Sequence, residues 1–138
     1  MREIKFRGKT YENQWVYGDL IHFSDDDFRI NPQKDHKWDI EEASDIVVPD
    51  TVGEFTGLTD KNGKEIWDGD IIEFTTFDYN GVDTQKVGEL KFVDGCFGII
   101  FQDFDGENRF YPLFRLTIDD IEVIGNIYEN PDLVIKEE

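Results

Sequence analysis

Carboxylate side chains are the residues of this sequence most able to do chemistry, because 32 of its 138 residues are Asp or Glu. Several of them are neighbours in the chain: Asp25, Asp26 and Asp27, Glu41 and Glu42, Asp45, and Asp119 and Asp120. Paired carboxylates can act in general acid–base catalysis or hold a divalent cation. Carboxylates adjacent in sequence are more commonly solvated loop residues, so the sequence predicts neither a metal site nor a bound cofactor.

Two acidic turns, at residues 60–63 and 103–108, are similar to calcium-binding loops but do not match their spacing. The EF-hand loop needs a glycine at its sixth position and a bidentate glutamate at its twelfth. In the second turn Gly106 is the fourth residue, counted from Asp103. We therefore expect both segments to be hairpin turns.

Histidine and cysteine are scarce in this chain. His22 and His36 lack the spacing of a helical metal-binding pair, and Cys96 is the single cysteine, which excludes an intrachain disulfide. A nucleophilic site would need Cys96 or a serine beside a histidine in space. Cys96 follows Asp94-Gly95, so we expect it to begin a strand as a small packing residue. The sequence thus predicts no catalytic residues, and we expect the protein not to be an enzyme.

Aromatic residues are the remaining candidates for a site. A stacking platform, as in proteins that bind single-stranded nucleic acids, could form from six of them: Trp15, Tyr17, Phe23, Trp67, Phe74 and Phe77. Such binders combine aromatic side chains with Lys and Arg, whereas this chain has 14 basic residues and a formal net charge of -18. Core packing or an oligomer interface is the favoured interpretation, and direct nucleic-acid binding is not expected.

Short strands must position all of these residues. Alternation of apolar and polar residues between turn residues is typical of strands, and it predicts them at 3–8, 15–23, 28–30, 45–48, 53–58, 64–67, 71–77, 87–93, 97–101, 109–116 and 121–127. Residues 133–138 are expected to form a last helical turn or a frayed tail. Closely spaced strands with turn residues between them favour a small barrel or a sandwich.

Turn residues give the sharpest local predictions. Asn62-Gly63 predicts a type I′ hairpin turn, with positive φ at both residues, and Gly69 is expected at positive φ as well. Gly18-Asp19 and Gly69-Asp70 both precede an apolar run, so we expect similar corners at the two places. Polar residues 31–45 match no single period, and they predict an irregular arm or a short helix at 38–44.

Length and charge limit the class of protein. A chain of 138 residues fits one domain over 1–138. No signal segment opens the chain and no apolar run reaches the ~20 residues of a membrane span, so we expect a protein of the host bacterial cytoplasm. The excess of acid has two interpretations: solubility, or a surface that imitates nucleic acid and docks on a basic partner.

Three blocks, at residues 4–21, 47–72 and 122–134, resemble the YopX-like family of phage and prophage proteins. The most specific parts are residues 51–70 and 124–131, the second reading Ile-Gly-Asn-Ile-Tyr-Glu-Asn-Pro. The resemblance implies a mainly-β, barrel-like fold with an additional subdomain that supports self-association. It implies no activity and supplies no catalytic residues.

These observations together predict a mainly-β protein with a small SH3-like barrel and an irregular or partly helical subdomain around 31–45. We expect a non-enzymatic phage or prophage accessory protein that binds other proteins and forms a homo-oligomer. One alternative is an acidic decoy that inhibits a basic nucleic-acid-handling host protein. The other alternative is an enzyme with a carboxylate or metal site.

Overall fold

The computed structural model describes residues 2–32, 44–77, 81, 83–103 and 105–134, and the side chains of all of these except Phe77 and Ile118. Its strands are β1 (Phe6–Lys9), β2 (Trp15–Ser24), β3 (Asp27–Asn31), β4 (Asp45–Val47), β5 (Gly53–Thr59), β6 (Glu65–Trp67), β7 (Asp70–Phe77), β8 (Asp83–Val93), β9 (Cys96–Gln102), β10 (Asn108–Pro112) and β11 (Ile121–Asn126). Short 3₁₀ turns lie at Pro49–Thr51, Leu113–Arg115, Ile118–Asp120 and Pro131–Leu133.

The chain divides into two compact units, Met1–Gly57 and Leu58–Glu138. In the N-terminal unit the antiparallel strand order is β4-β3-β2-β1-β5. A single bridge between Thr10 and Val47, and a 2.7 Å bond from the N–H of Val48 to the carbonyl of Lys9, bring β4 back to the end of β1. The sheet therefore curls.

Apolar side chains fill the inside of this curl. Ile30 and Val47 are fully buried. Gly8 lies against Val47, and a Cβ atom on Gly8 would stand 3.0 Å from the side chain of Val47. The missing side chain of Gly8 lets the two strand ends approach.

The C-terminal unit contains a five-stranded antiparallel sheet of order β10-β9-β8-β7-β11. Its register places Ile72 opposite Gly88 and Leu90 opposite Ile99. One face of the sheet carries the main core, which consists of Ile66, Ile72, Phe74, Leu90, Ile99, Phe101, Leu113, Ile121 and Val123. The alternation that predicted these strands is the pattern that buries this face.

Three hairpins of the chain share one turn geometry, at residues 10–14, 60–64 and 103–107. In each turn the first residue donates its N–H to the carbonyl of the fifth, and the fourth donates its N–H to the carbonyl of the first. The fourth residue has positive φ: 69° at Asn13, 79° at Gly63 and 82° at Gly106. This is the geometry of a type I turn followed by a bulge, and the hairpin predicted at residues 103–108 is confirmed.

Gly63 and Gly69 lie at positive φ, as predicted, but the type I′ turn predicted at Asn62-Gly63 is wrong. Among the described non-glycine residues, positive φ occurs at Asn13 and Asp94, so Asn62 does not have it. The type I′ pattern lies instead at Asp94 (φ 50°) and Gly95 (φ 86°), which join β8 to β9 directly. Gly18 is also not a corner, because it pairs with Phe6 inside β2.

The mainly-β class is confirmed, and the described strands form two antiparallel sheets. They do not form a closed barrel, so the small SH3-like barrel is not confirmed. The strand expected at 109–116 ends at Pro112, and Leu113–Arg115 is a 3₁₀ turn that buries Leu113. The expected helix at 38–44 lies outside the described residues except for Ser44, and the single domain over 1–138 stays a prediction. Across the described ranges, none of the helices is long and apolar enough to span a membrane.

Candidate binding surface

Basic and aromatic side chains meet on one face of the N-terminal sheet. Alternation along β1 places Arg7 and Lys9 on the same face, and the register sets Tyr17 opposite Arg7 and Trp15 opposite Lys9. The guanidinium carbon of Arg7 lies 4.6 Å from the centre of a Trp15 ring, and Lys9 Nζ lies 5.6 Å from it. Both distances fit cation–π contacts.

The same arrangement recurs twice more in this unit. Lys5 Nζ lies 4.8 Å from the ring centre of Phe55, and the guanidinium carbon of Arg29 lies 4.7 Å from that of Phe23. Arg29 also forms a two-point ion pair with Asp27, at 2.9 and 3.0 Å. We call this set the cation–aromatic face: Lys5, Arg7, Lys9, Arg29, Trp15, Tyr17, Phe23 and Phe55.

The middle of the cation–aromatic face is buried and hydrogen-bonded. Arg7 is 6% exposed and Lys9 is 8% exposed, which is unusual for either residue type. The N–H of Lys9 donates to Thr51 Oγ1 at 2.8 Å, and this hydroxyl donates to the carbonyl of Val48 at 2.7 Å. A cation held over a ring in a desolvated place interacts more strongly than it does in water.

An open groove of about 410 Å³ runs along this part of the unit. Trp15, Tyr17, Pro32 and Lys5 line it, together with Gly18. A Cβ atom on Gly18 would stand 2.0 Å from the carbonyl oxygen of Asn31, so the groove wall depends on a residue without a side chain. Tyr17 is 48% exposed beside the groove. Aromatic and apolar walls with a few polar groups are typical of binding grooves.

The described carboxylates of the predicted clusters are exposed or bonded to neighbouring side chains. Asp25, Asp26 and Asp45 are exposed, and hydrogen bonds from the Arg29 side chain lower the pKa of Asp27. Asp120 accepts a 2.7 Å bond from the hydroxyl of Thr117. Glu41 and Glu42 lie outside the described residues. Where the structure describes the chain, no group of three or more His, Cys, Asp or Glu residues is arranged to hold a metal ion.

Of the histidine and cysteine candidates, the structure describes His22 and Cys96, and both lie in strands. His22 is exposed and stacks on Phe28, with 4.1 Å between the ring centres, while His36 is outside the described residues. Cys96 begins β9, as predicted.

The six aromatic residues considered for a platform are split between several environments. Trp67 and Phe74 are buried at 4% and 1% exposure, which confirms core packing for these two. Trp15 and Phe23 belong to the cation–aromatic face with Tyr17, and nothing is described of the Phe77 side chain.

The buried carboxylates stabilise turns of the C-terminal unit. Asp60 is 2% exposed and accepts three backbone bonds, from Asn62 and Lys64 at 2.9 Å and from Val123 at 2.9 Å. Burial acts to raise the pKa of Asp60, but the bonds from Val123, Lys64 and Asn62 outweigh burial and hold it below its ordinary value. Asp70 accepts a 2.8 Å bond from the N–H of Trp67.

Residues 124–131 also make structural contacts within the C-terminal unit. Asn126 Oδ1 accepts the N–H groups of Tyr128 and Glu129, both at 3.0 Å. The N–H of Ile127 donates to the carbonyl of Gly69 at 3.0 Å, so this run is tied to the corner at Gly69. The segments that carry the family resemblance, including Asp60, thus supply turn and corner contacts of the fold.

Sequence reasoning missed the cation–aromatic face, although a signal for it was present. Lys5, Arg7 and Lys9 alternate through the first predicted strand, and Trp15 and Tyr17 alternate through the second. Pairing these strands as a hairpin places all five side chains on one face. The net charge of the whole chain concealed this local clustering of basic residues.

Comparison with known proteins identifies the family of this chain. The family model described as YopX protein matches residues 5–134, and the chain belongs to this family. It is 27% identical over 124 residues to the SPbeta prophage-derived uncharacterized protein YopX of Bacillus subtilis (strain 168), covering 85% of this chain and 90% of that protein. The crystal structure of protein EF1440 from Enterococcus faecalis is similar with a TM-score of 0.55 and 27% identity, over 98% of this chain and 100% of that one.

Proposed function

We propose that this protein is a non-enzymatic accessory protein of a phage or prophage, and that it acts in the host cytoplasm by binding other proteins and by associating with itself. Membership of the YopX family, with a prophage-derived relative, supports the phage origin. The observation that carries the binding role is the groove beside the cation–aromatic face, where Tyr17 is half exposed next to Trp15 and Lys5.

The groove suits a protein partner because its wall is already ordered. Trp15 is held by the cations of Arg7 and Lys9, and Gly18 packs against the neighbouring strand. An ordered aromatic wall loses little conformational entropy when a partner binds. Exposed Tyr and Trp side chains are also the residue types that contribute most to binding energy at protein interfaces.

Affinity capture with matched variants tests the binding role. The wild-type protein, Tyr17→Ala and Tyr11→Ala are immobilised and exposed to lysate from bacteria in which the prophage is induced. Tyr11 is the control, since it is 67% exposed but does not line the groove. We expect a partner retained by the wild type and Tyr11→Ala, and retained about tenfold less by Tyr17→Ala. Equal retention by all three proteins, or no retained partner, would contradict the proposal.

An acidic decoy is the second candidate function, and the net charge of -18 favours it. A decoy would hold a basic nucleic-acid-handling protein through many charge contacts, which salt screens because the Debye length shortens from about 10 Å at 0.1 M to about 3 Å at 1 M. Washing the captured complex at both salt concentrations separates the two functions. A groove-bound partner stays bound at 1 M salt, whereas a decoy's partner is released.

A further inference from the structure

The two edges of the five-stranded sheet differ in how they are covered. At the β11 edge, the N–H of Val123 donates to Asp60 Oδ2 at 2.9 Å, and the N–H of Lys61 donates to the carbonyl of Ile121 at 3.1 Å. The 60–64 turn therefore covers that edge. At the opposite end, β10 pairs with β9 on one side, and no described strand pairs with its other side. An uncovered strand edge can pair with another strand.

An exposed phenylalanine stands directly after this edge. Phe114 is 74% exposed, the largest exposure of any large apolar side chain in the described part of the chain. Its neighbour Leu113 is 4% exposed and belongs to the main core. The 3₁₀ turn Leu113–Arg115 is thus anchored by Leu113 while it holds Phe114 in solvent. We call residues 105–115 the β10 strip.

Charge along the β10 strip indicates which partner fits it. Asp105 and Glu107 at its start are balanced by Arg109 and Arg115, so the strip is neutral in a chain of net charge -18. An antiparallel partner strip of the same sequence would place the acidic start of one copy near Arg115 of the other. With a two-fold axis at Phe110, Arg109 would also stand opposite Tyr111, a favourable cross-strand pair.

We propose that the β10 strip is the surface through which two copies of this chain associate, with β10 paired antiparallel to β10 of the second copy. This inference deepens the proposed self-association and rests on it. Five paired residues and one phenylalanine make a small interface, so the dissociation constant is expected in the micromolar range. Screening of repulsion between the two acidic molecules should make association stronger at high salt.

Sedimentation equilibrium over a concentration series tests the proposal at low and high NaCl. We expect the wild-type mass to rise from 16.2 kDa towards twice that value, at lower concentration when NaCl is raised. Phe114→Asp should weaken association at least tenfold. Phe92→Asp is the control, because Phe92 is 55% exposed in the same unit but lies outside the strip. Circular dichroism verifies that both variants are folded.

Three outcomes would overturn the proposal. The first is a wild-type mass of 16.2 kDa at every concentration and salt level. The second is a larger mass that Phe114→Asp does not reduce, and the third is equal weakening by Phe92→Asp. Failure here is distinguishable from failure of the binding role, because partner capture depends on Tyr17 and is measured with different variants.

Discussion

At the scale of single residues, buried Asp60 has the most consequential position. One carboxylate accepts N–H groups from the turn that follows it and from Val123, which lies 63 residues further along the chain. Charge-assisted hydrogen bonds of this kind contribute more than neutral ones. Asp60 thus connects the 60–64 turn to strand β11 at the edge of the sheet.

Replacing this carboxylate should destabilise the C-terminal unit. In Asp60→Asn, the side-chain NH₂ group would face backbone N–H groups, and two donors cannot form a hydrogen bond. We therefore expect the free energy of unfolding to fall by about 2–3 kcal/mol. Urea denaturation followed by fluorescence measures it. Asp94→Asn is the matched control: Asp94 is exposed at positive φ, which asparagine tolerates. A loss below about 0.5 kcal/mol for Asp60→Asn would show that the three bonds contribute little.

The lowered pKa of Asp60 also predicts a pH dependence. A carboxyl whose pKa is lower in the folded state stabilises the fold above its unfolded pKa of about 3.9, and this contribution is lost as pH falls through the folded pKa. The difference in unfolding free energy between wild type and Asp60→Asn should therefore be constant above about pH 5 and shrink below about pH 4. A constant difference down to pH 2 would contradict this assignment.

Substitution of Gly63 tests backbone strain without any steric contact. Its φ is 79°, yet a Cβ atom built there meets nothing within 4 Å. Gly63→Ala should therefore cost about 1 kcal/mol through backbone strain alone, and Gly63→Asn should cost less, since asparagine tolerates this conformation. Thermal unfolding of both variants checks the order. Equal costs would show that the turn relaxes away from positive φ.

At the scale of elements, the strands were predictable and the turn types were not. Strand and turn patterns placed a strand at each position of β1 to β5, but did not identify which side chains are buried, because Arg7 and Lys9 are buried while Ile4 is half exposed. Turn geometry depends on more than its central pair. Asn62-Gly63 forms a type I turn with a bulge because Asp60 binds the N–H groups of Asn62 and Lys64, whereas Asp94-Gly95 lacks such a constraint and adopts positive φ at both residues.

Whether the strands form a closed or an open sheet was less predictable than where the strands lie. Strand patterns specify which residues face inwards, but closure depends on bonds between strands distant in sequence, such as the Thr10–Val47 bridge. The sequence did not predict the end of β10 at Pro112, because the next four residues are still largely apolar. Burial of Leu113 in the core turns the chain there into a 3₁₀ turn.

Packing of β9 against β10 depends on one residue without a side chain. A Cβ atom on Gly98 would stand 2.3 Å from Phe110 Cζ and 2.8 Å from the carbonyl oxygen of Tyr111. Gly98→Ala should therefore cost about 1–3 kcal/mol, the usual range for overpacking. In a Phe110→Ala background the same change should cost less, and a double-mutant cycle measures this coupling. Additive effects would mean that the ring moves aside without strain.

At the scale of the molecule, a strongly acidic chain still brings several basic side chains together in one place. The chain carries -18, yet Lys5, Arg7 and Lys9 gather with aromatic rings in one unit. A sum over the sequence cannot reveal such a gathering, because it depends on which strands pair. The same sum shows that acidic residues outnumber basic ones over the whole chain, and like charges repel one another.

Stability should therefore rise with ionic strength. Salt weakens the exposed ion pairs, including Arg109–Asp105 at 2.7 Å, but exposed pairs each contribute less than about 1 kcal/mol. It also screens repulsion among 32 acidic residues that only 14 basic residues offset, and this second effect should dominate. We expect the melting temperature to increase by roughly 3–10 °C between 0.05 and 0.5 M NaCl, measured at low protein concentration. Replacing exposed Asp25, Asp26 and Asp45 by asparagine should reduce the increase. A melting temperature that falls with salt would show that the ion pairs and cation–π contacts outweigh the acidic repulsion.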